Sequence, residues 1–179
     1  MKTSQQINRL PSRQPEQGES GQAFVEFSLV VMVMTIMLFG LIDFGRFIYE
    51  RQVATNLSRE GANLVLRNTS VTNAAAAVMS SAAPLKMGTN GRLIMSTVSN
   101  SNGTLRVSSQ LSTGGLNSVS SKIGNLSGIA NMPATPTVIP AAGKSMYVAE
   151  VYYSFTPITP VGKMLKLVLP SYIYDAAYF

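Results

Sequence analysis

Ala23 to Ile42 form an apolar run broken by one charge, the carboxylate of Glu26. At about 1.5 Å of rise per residue its roughly 20 residues reach about 30 Å, the thickness of a bilayer's hydrocarbon core. The run predicts a membrane-spanning helix. Beyond Ile42 the pattern turns periodic. Phe44, Phe47, Ile48, Val53, Leu57, Leu64 and Leu66 recur mostly at three- and four-residue steps, with Arg46, Glu50, Arg51, Asn56, Arg59 and Glu60 between them. One helix is therefore expected over 22–67, with Gly40, Gly45 and Gly61 as places where it could bend. Asp43 and Arg46 stand at i,i+3 and Arg46 and Glu50 at i,i+4, so both pairs can meet on the helix surface, where each contributes a few tenths of a kcal/mol.

Past residue 67 the elements shorten. Residues 68–83 read as a turn and an Ala-rich helix from about Val71, with N-caps available between Asn68 and Thr72 and Pro84 as a stop. Arg92–Val98 and Thr104–Ser108 read as strands joined by Asn100-Ser101-Asn102-Gly103, whose Asn and Gly tolerate positive φ. Gln110–Gly143, rich in Ser, Gly, Asn and Pro, is expected to be a long loop rather than a core element. Tyr147–Phe155 alternates so that Tyr147, Ala149, Val151, Tyr153 and Phe155 make one apolar face. Lys163–Leu169 is a short apolar element of undecided type, and Tyr172–Phe179 a final aromatic strand. The expected fold class is α+β: a long N-terminal membrane-spanning helix continuing into a small antiparallel sheet domain packed on its distal half.

Three domains follow: a polar leader over 1–21, the helix over 22–67, and an exported α+β domain over 68–179. The leader contains Pro11 and Pro15, lacks apolar periodicity and is expected to be disordered in water. Lys2, Arg9 and Arg13 precede the apolar run and favour a cytoplasmic N-terminus with the C-terminal domain on the other side. The run is longer than the core of a secretory signal peptide, and Asp43-Phe44-Gly45-Arg46-Phe47 after it offers no small-residue cleavage site, so it should remain as an anchor.

Composition narrows the chemistry. The formal net charge is +6, but the basic residues are spread singly and form no stripe interleaved with aromatics, so nucleic acid is not an expected partner. The absence of Cys and His removes disulfides, thiol nucleophiles, Cys/His metal sites and every Ser-His-acid triad. Gly143-Lys144-Ser145 resembles the end of a phosphate-binding loop but has Val138 where that loop needs glycine. Glu150 and Asp175, the carboxylates of the distal domain, lie far apart on strands and make no acid/base pair. No cofactor, metal or catalytic residue is expected. The aromatic residues near the C-terminus are expected to pack the sheet.

Glu26 is the exception. A carboxylate near the bilayer centre costs about 2.5–3.5 kcal/mol and needs a partner. Were the chain cut after Gly21, Glu26 would be the fifth residue of a helix beginning at Gln22, and the new amino group of a neighbouring chain could neutralise it. Gly21 followed by Gln22-Ala23-Phe24-Val25-Glu26-Phe27 resembles the processing site of type IV prepilins in its tight-adherence form. The stretch from Gly21 to Leu66, with Asp43-Phe44-Gly45-Arg46 and Arg59-Glu60-Gly61-Ala62, resembles the TadE-like family of minor pseudopilins.

That resemblance implies that Gly21 is the last leader residue recognised by a prepilin peptidase, that Gln22 becomes the amino terminus, and that Glu26 orients processing or assembly. Asp43 and Arg46 match the motif and would have a helix-pair or surface role. The implied partners are the peptidase, the major pilin, a second minor pseudopilin, the pilus secretion platform with its ATPase, and membrane lipid. The implied function is priming or supporting assembly of a tight-adherence pilus from the inner membrane. The alternative from the residues alone is a single-pass envelope module that adheres through its aromatic sheet.

Overall fold

The computed structural model describes residues 19–133, 139–164 and 170–179. The leader expected at 1–21 lies outside these residues except at its end, as do 134–138 of the expected loop and 165–169 of the short apolar element. Helix α1 runs Glu19–Leu66 and begins three residues before Gln22. Two compact units divide at Leu38/Phe39. In the first, the apolar side chains from Phe24 to Leu38 are exposed, and the helix that carries them is long and apolar enough to cross a membrane.

The second unit holds the rest of α1, helices α2 (Val71–Ser81) and α3 (Met87–Asn90), strands β1 (Gly91–Ser101), β2 (Thr104–Gly114) and β3 (Ser145–Ser154), helix α4 (Pro160–Met164) and strand β4 (Tyr172–Tyr178). All strand pairs are antiparallel, in the order β2-β1-β3-β4. The β1–β2 turn places Asn102 and Gly103 at φ 53° and 85°, the positive values its sequence anticipates. Helix α1 stops because Asn68 takes the left-handed conformation at φ 66°. The amides of Asn68 and Thr69 then bond back to the carbonyls of Val65 and Leu64 at 3.0 and 3.2 Å, closing the helix end in a Schellman motif. Ser70 immediately caps α2 by accepting from the amide of Asn73 at 3.2 Å.

The main core lies between α1, α2 and one face of the sheet: Ala54, Leu57, Ala62 and Val65 of α1 meet Ala74, Ala75 and Val78 of α2 and Leu93, Met95, Ala149 and Val151 of the sheet. Small residues set this approach. A Cβ at Gly61 would stand 3.3 Å from Val78 and 3.4 Å from Ala149, so Gly61 is a packing position within α1.

Two sequence expectations are corrected. Strand β3 is buried on both faces, because residues after β2 cover the second face. Ile123 and Ala130 join Val98, Val107, Met146 and Val148 in a separate core there. The region expected as a loop over 110–143 thus completes β2 as far as Gly114 and then supplies core residues. Its Ser and Gly content hid this, since among its described residues after Gly114 two side chains, Ile123 and Ala130, are buried.

The expected periodic face of α1 holds at Leu57, which is buried, and at Phe47, Val53 and Leu64, which pack against the core, but not throughout. Phe44, Ile48 and Leu66 are exposed, whereas Asp43, Glu50, Ala54, Leu57, Ser58, Ala62 and Val65 are buried. These buried positions follow helical spacing, but three of them are polar, and an apolar count passes over them.

Candidate processing and assembly site

The residues of the resemblance fall in two places. In the first unit, Gly21, Gln22 and Glu26 are exposed on helical backbone. The Gln22 side-chain amide donates to the Glu26 carboxylate at 3.0 Å, one turn away as i,i+4 spacing allows. A Cβ at Gly21 would meet nothing within 4 Å. The motif therefore presents a small residue, an amide and a carboxylate on an open helix surface.

In the second unit, the polar members of the buried α1 stripe bind segments far along the chain. Asp43, 2 % exposed, accepts from the amide of Ile158 at 3.0 Å, the amide of Thr159 at 3.3 Å and the Thr159 hydroxyl at 2.5 Å. Thr159 Oγ1 in turn accepts from the amide of Gly162 at 2.9 Å. Thr159 is thus the N-cap of α4, with Pro160 at the first helical position, where its missing N–H costs nothing. One carboxylate and one capped turn hold residues 157–162 against α1. Of the helix-pair or surface position expected for Asp43, the structure shows a buried one that clasps residues 158–159.

Gly162 makes the approach feasible, since a Cβ there would overlap the Asp43 carboxylate. Gly162→Ala is expected to lower stability by about 1–3 kcal/mol, the usual cost of forcing extra volume into a packed site. Urea unfolding of the full chain in detergent, followed by circular dichroism, measures it, and an unchanged midpoint would mean the clasp yields freely.

Arg46 makes the i,i+4 pair, donating from Nη2 to Glu50 Oε1 at 2.9 Å. The pair is half-buried: the Arg46 side chain is 37 % exposed and that of Glu50 8 %. Burial raises the Glu50 pKa and Arg46 opposes the shift. The guanidinium also stands 5.9 Å from the Phe155 ring centre, and Phe155 meets Phe47 edge-on at 5.3 Å. Further along α1, the hydroxyl of Ser58 donates to Asp175 of β4 at 2.5 Å.

Sequence reasoning treated Glu150 as an isolated strand carboxylate, yet it organises the second core. It is fully buried and accepts from the Ser121 hydroxyl, the Lys122 amide at 2.9 Å and the Tyr174 hydroxyl at 3.2 Å, while the Tyr152 hydroxyl, 3.2 Å away, donates to the Ser120 carbonyl at 2.9 Å. Lys122 Nζ lies 3.6 Å from the Tyr174 ring centre. Burial, and then the Glu150 charge, push the pKa values of Tyr152 and Tyr174 upward. A carboxylate on a strand of aromatics was the available signal. Its donors come from residues 28 and 29 positions earlier and 24 later, beyond any local pattern.

Residues 21–63 match the family model described as TadE-like protein, over the stretch that carries Gly21, Glu26, Asp43, Arg46, Glu50 and Ser58. No curated protein and no solved structure matches the chain. Thr159, Asp175 and Glu150, which receive or resemble those α1 contacts, lie outside the matched residues.

Proposed function

We propose, with the TadE-like segment at residues 21–63 as premise, that this chain is a minor pseudopilin which primes or supports assembly of a tight-adherence pilus. The observation that carries the reading is one register: a polar leader, Gly21, a carboxylate five residues on, and an apolar helix that exposes its side chains. Cleavage after Gly21 puts a new amino group at Gln22, one helical turn from Glu26. The apolar run to Ile42 first holds the protein in the inner membrane and then packs with other pilin helices. Partners of this reading are the prepilin peptidase, the major pilin, a second minor pseudopilin and the secretion platform.

The polar contacts support the same role mechanically. A subunit drawn from a membrane by its helix transmits force through the helix to its sheet. Asp43, the Arg46–Glu50 pair and Ser58 tie or brace the emerging part of α1 at three successive levels, and the Ala-rich core adds apolar burial.

In cells that contain the matching peptidase, the mature protein is expected to begin at Gln22 and to lack the mass of residues 1–21. Intact-mass measurement and N-terminal sequencing test this, and a mature protein that retains Met1 would refute processing and the function built on it.

A further inference from the structure

Residues 157–164 carry an apolar surface whose position is fixed by the clasp. Ile158 is 59 % exposed and Met164 84 % exposed, with exposed Lys163 between them in sequence. Asp43 binds the amides of Ile158 and Thr159 directly, and Asp43 follows Ile42, the last residue of the apolar run. On α1 itself, Leu41 and Phe44 on either side are exposed at 69 % and 52 %. The segment is thus fastened at the level where continuous apolar sequence gives way to polar sequence.

We propose that residues 157–164 form a second membrane contact, with Ile158 and Met164 in the outer edge of the bilayer and Lys163 among anionic headgroups. This rests on the reading of Ala23–Ile42 as a membrane span. The occupant is lipid because the surface continues the end of that span and because its charged residue is a cation. Apolar side chains beside a lysine, held at the interface by a structured turn, have the composition of an interfacial anchor. The tether accounts for the free Ile158 side chain: Asp43 uses the backbone of Ile158 and the backbone and hydroxyl of Thr159. The contact fixes the height and rotation of the sheet domain on the membrane, so that extraction into a filament must release it.

The chain has no Cys, so single-cysteine variants report cleanly. Ile158→Cys, Met164→Cys, Val33→Cys and Asn102→Cys are made in the full chain, labelled with an environment-sensitive fluorophore and reconstituted in phosphatidylcholine vesicles with or without phosphatidylglycerol. The lipids carry a nitroxide either at the headgroup or at mid-chain. Labels at 158 and 164 are expected to lose emission to the headgroup nitroxide and to be shielded from aqueous iodide. The label at 33 should respond to the mid-chain nitroxide and that at 102 to neither. Phosphatidylglycerol should deepen the loss at 164, and Lys163→Gln should remove that increment.

If 33 responds to mid-chain nitroxide while 158 and 164 are as open to iodide as 102, the second contact is overturned and the span stands. Shielding from iodide without lipid quenching would mean that protein, such as a second copy, covers the surface, and would equally overturn it. A label at 33 untouched by mid-chain nitroxide would remove the span and this contact together.

Discussion

Glu26→Ala is expected to leave the protein in the membrane and to abolish piliation. Removing the carboxylate eases insertion, by up to about 2.5–3.5 kcal/mol if residue 26 sits near the bilayer centre, so the helix is retained and protein levels hold. Assembly is where the loss appears. Among the described residues the contact made by the Glu26 carboxylate is a neutral one, from the Gln22 amide, which leaves its charge to be met from outside the helix. On the proposed reading that charge is met by the amino group that cleavage would create at Gln22 of a neighbouring chain, and such an ion pair inside lipid would select both register and partner because mismatched helices leave the carboxylate unpaired.

Glu26→Gln separates charge from shape. It keeps the side chain's size and hydrogen-bonding capacity, so a pilus loss as deep as that of Glu26→Ala assigns the role to charge. Counting filaments by electron microscopy, together with membrane fractionation, measures both halves of the expectation. Unchanged pilus counts in Glu26→Ala would remove this carboxylate from assembly. Crosslinks from residue 22 or 26 to other pilin helices identify the partner directly.

The largest stability effect is expected at Glu150. Glu150→Ala removes the acceptor shared by Ser121, Lys122 and Tyr174 and leaves buried donors unpaired, each costing about 1–3 kcal/mol, while Tyr152 keeps the Ser120 carbonyl. A total near 3–5 kcal/mol is expected, as several neutral donors lose their acceptor together. That is a large part of a typical domain's 5–15 kcal/mol. Urea unfolding of the full chain in detergent reads the loss. A change below about 1 kcal/mol, which is ordinary for a surface substitution, would show that the strap of residues 116–132 does not depend on this carboxylate.

The same network gives a pH signature. Tyr152 and Tyr174 titrate higher in the folded chain than in the unfolded one. Their contribution to stability is fully present below the unfolded tyrosine pKa of about 10 and is lost as pH rises above it. Unfolding midpoints should therefore fall in alkaline buffer. Glu150→Gln takes away the charge that adds to burial in raising both groups, so its alkaline loss should be shallower than that of the natural chain.

Much of the architecture is written locally. The Ala-rich helix after Ser70, the Asn102-Gly103 turn and the alternation of β3 each depend on residues within one or two turns or a strand's length, and each appears near its expected place. Buried polar residues were not legible in this way. Asp43 and Glu50 read as helix-surface charges and Glu150 as a lone strand carboxylate, because hydropathy assigns a charge to solvent unless its partner is known. Asp43 meets Thr159 across 116 positions and Ser58 meets Asp175 across 117.

Ile123 and Ala130 were missed for the opposite reason. They are single apolar residues in Ser- and Gly-rich chain, and their burial comes from the sheet beneath them rather than from any periodicity of their own.

The sequence alone determined the apolar helix and the fixed spacing of Gly21 and Glu26, since length, hydropathy and one misplaced charge are properties of a single stretch. Only tertiary structure decided what the other carboxylates do. Burying Asp43, Glu50 and Glu150 is tolerable only where donors are delivered to them, and for Asp43 and Glu150 those donors come from segments that the fold alone brings within 3 Å or so of them.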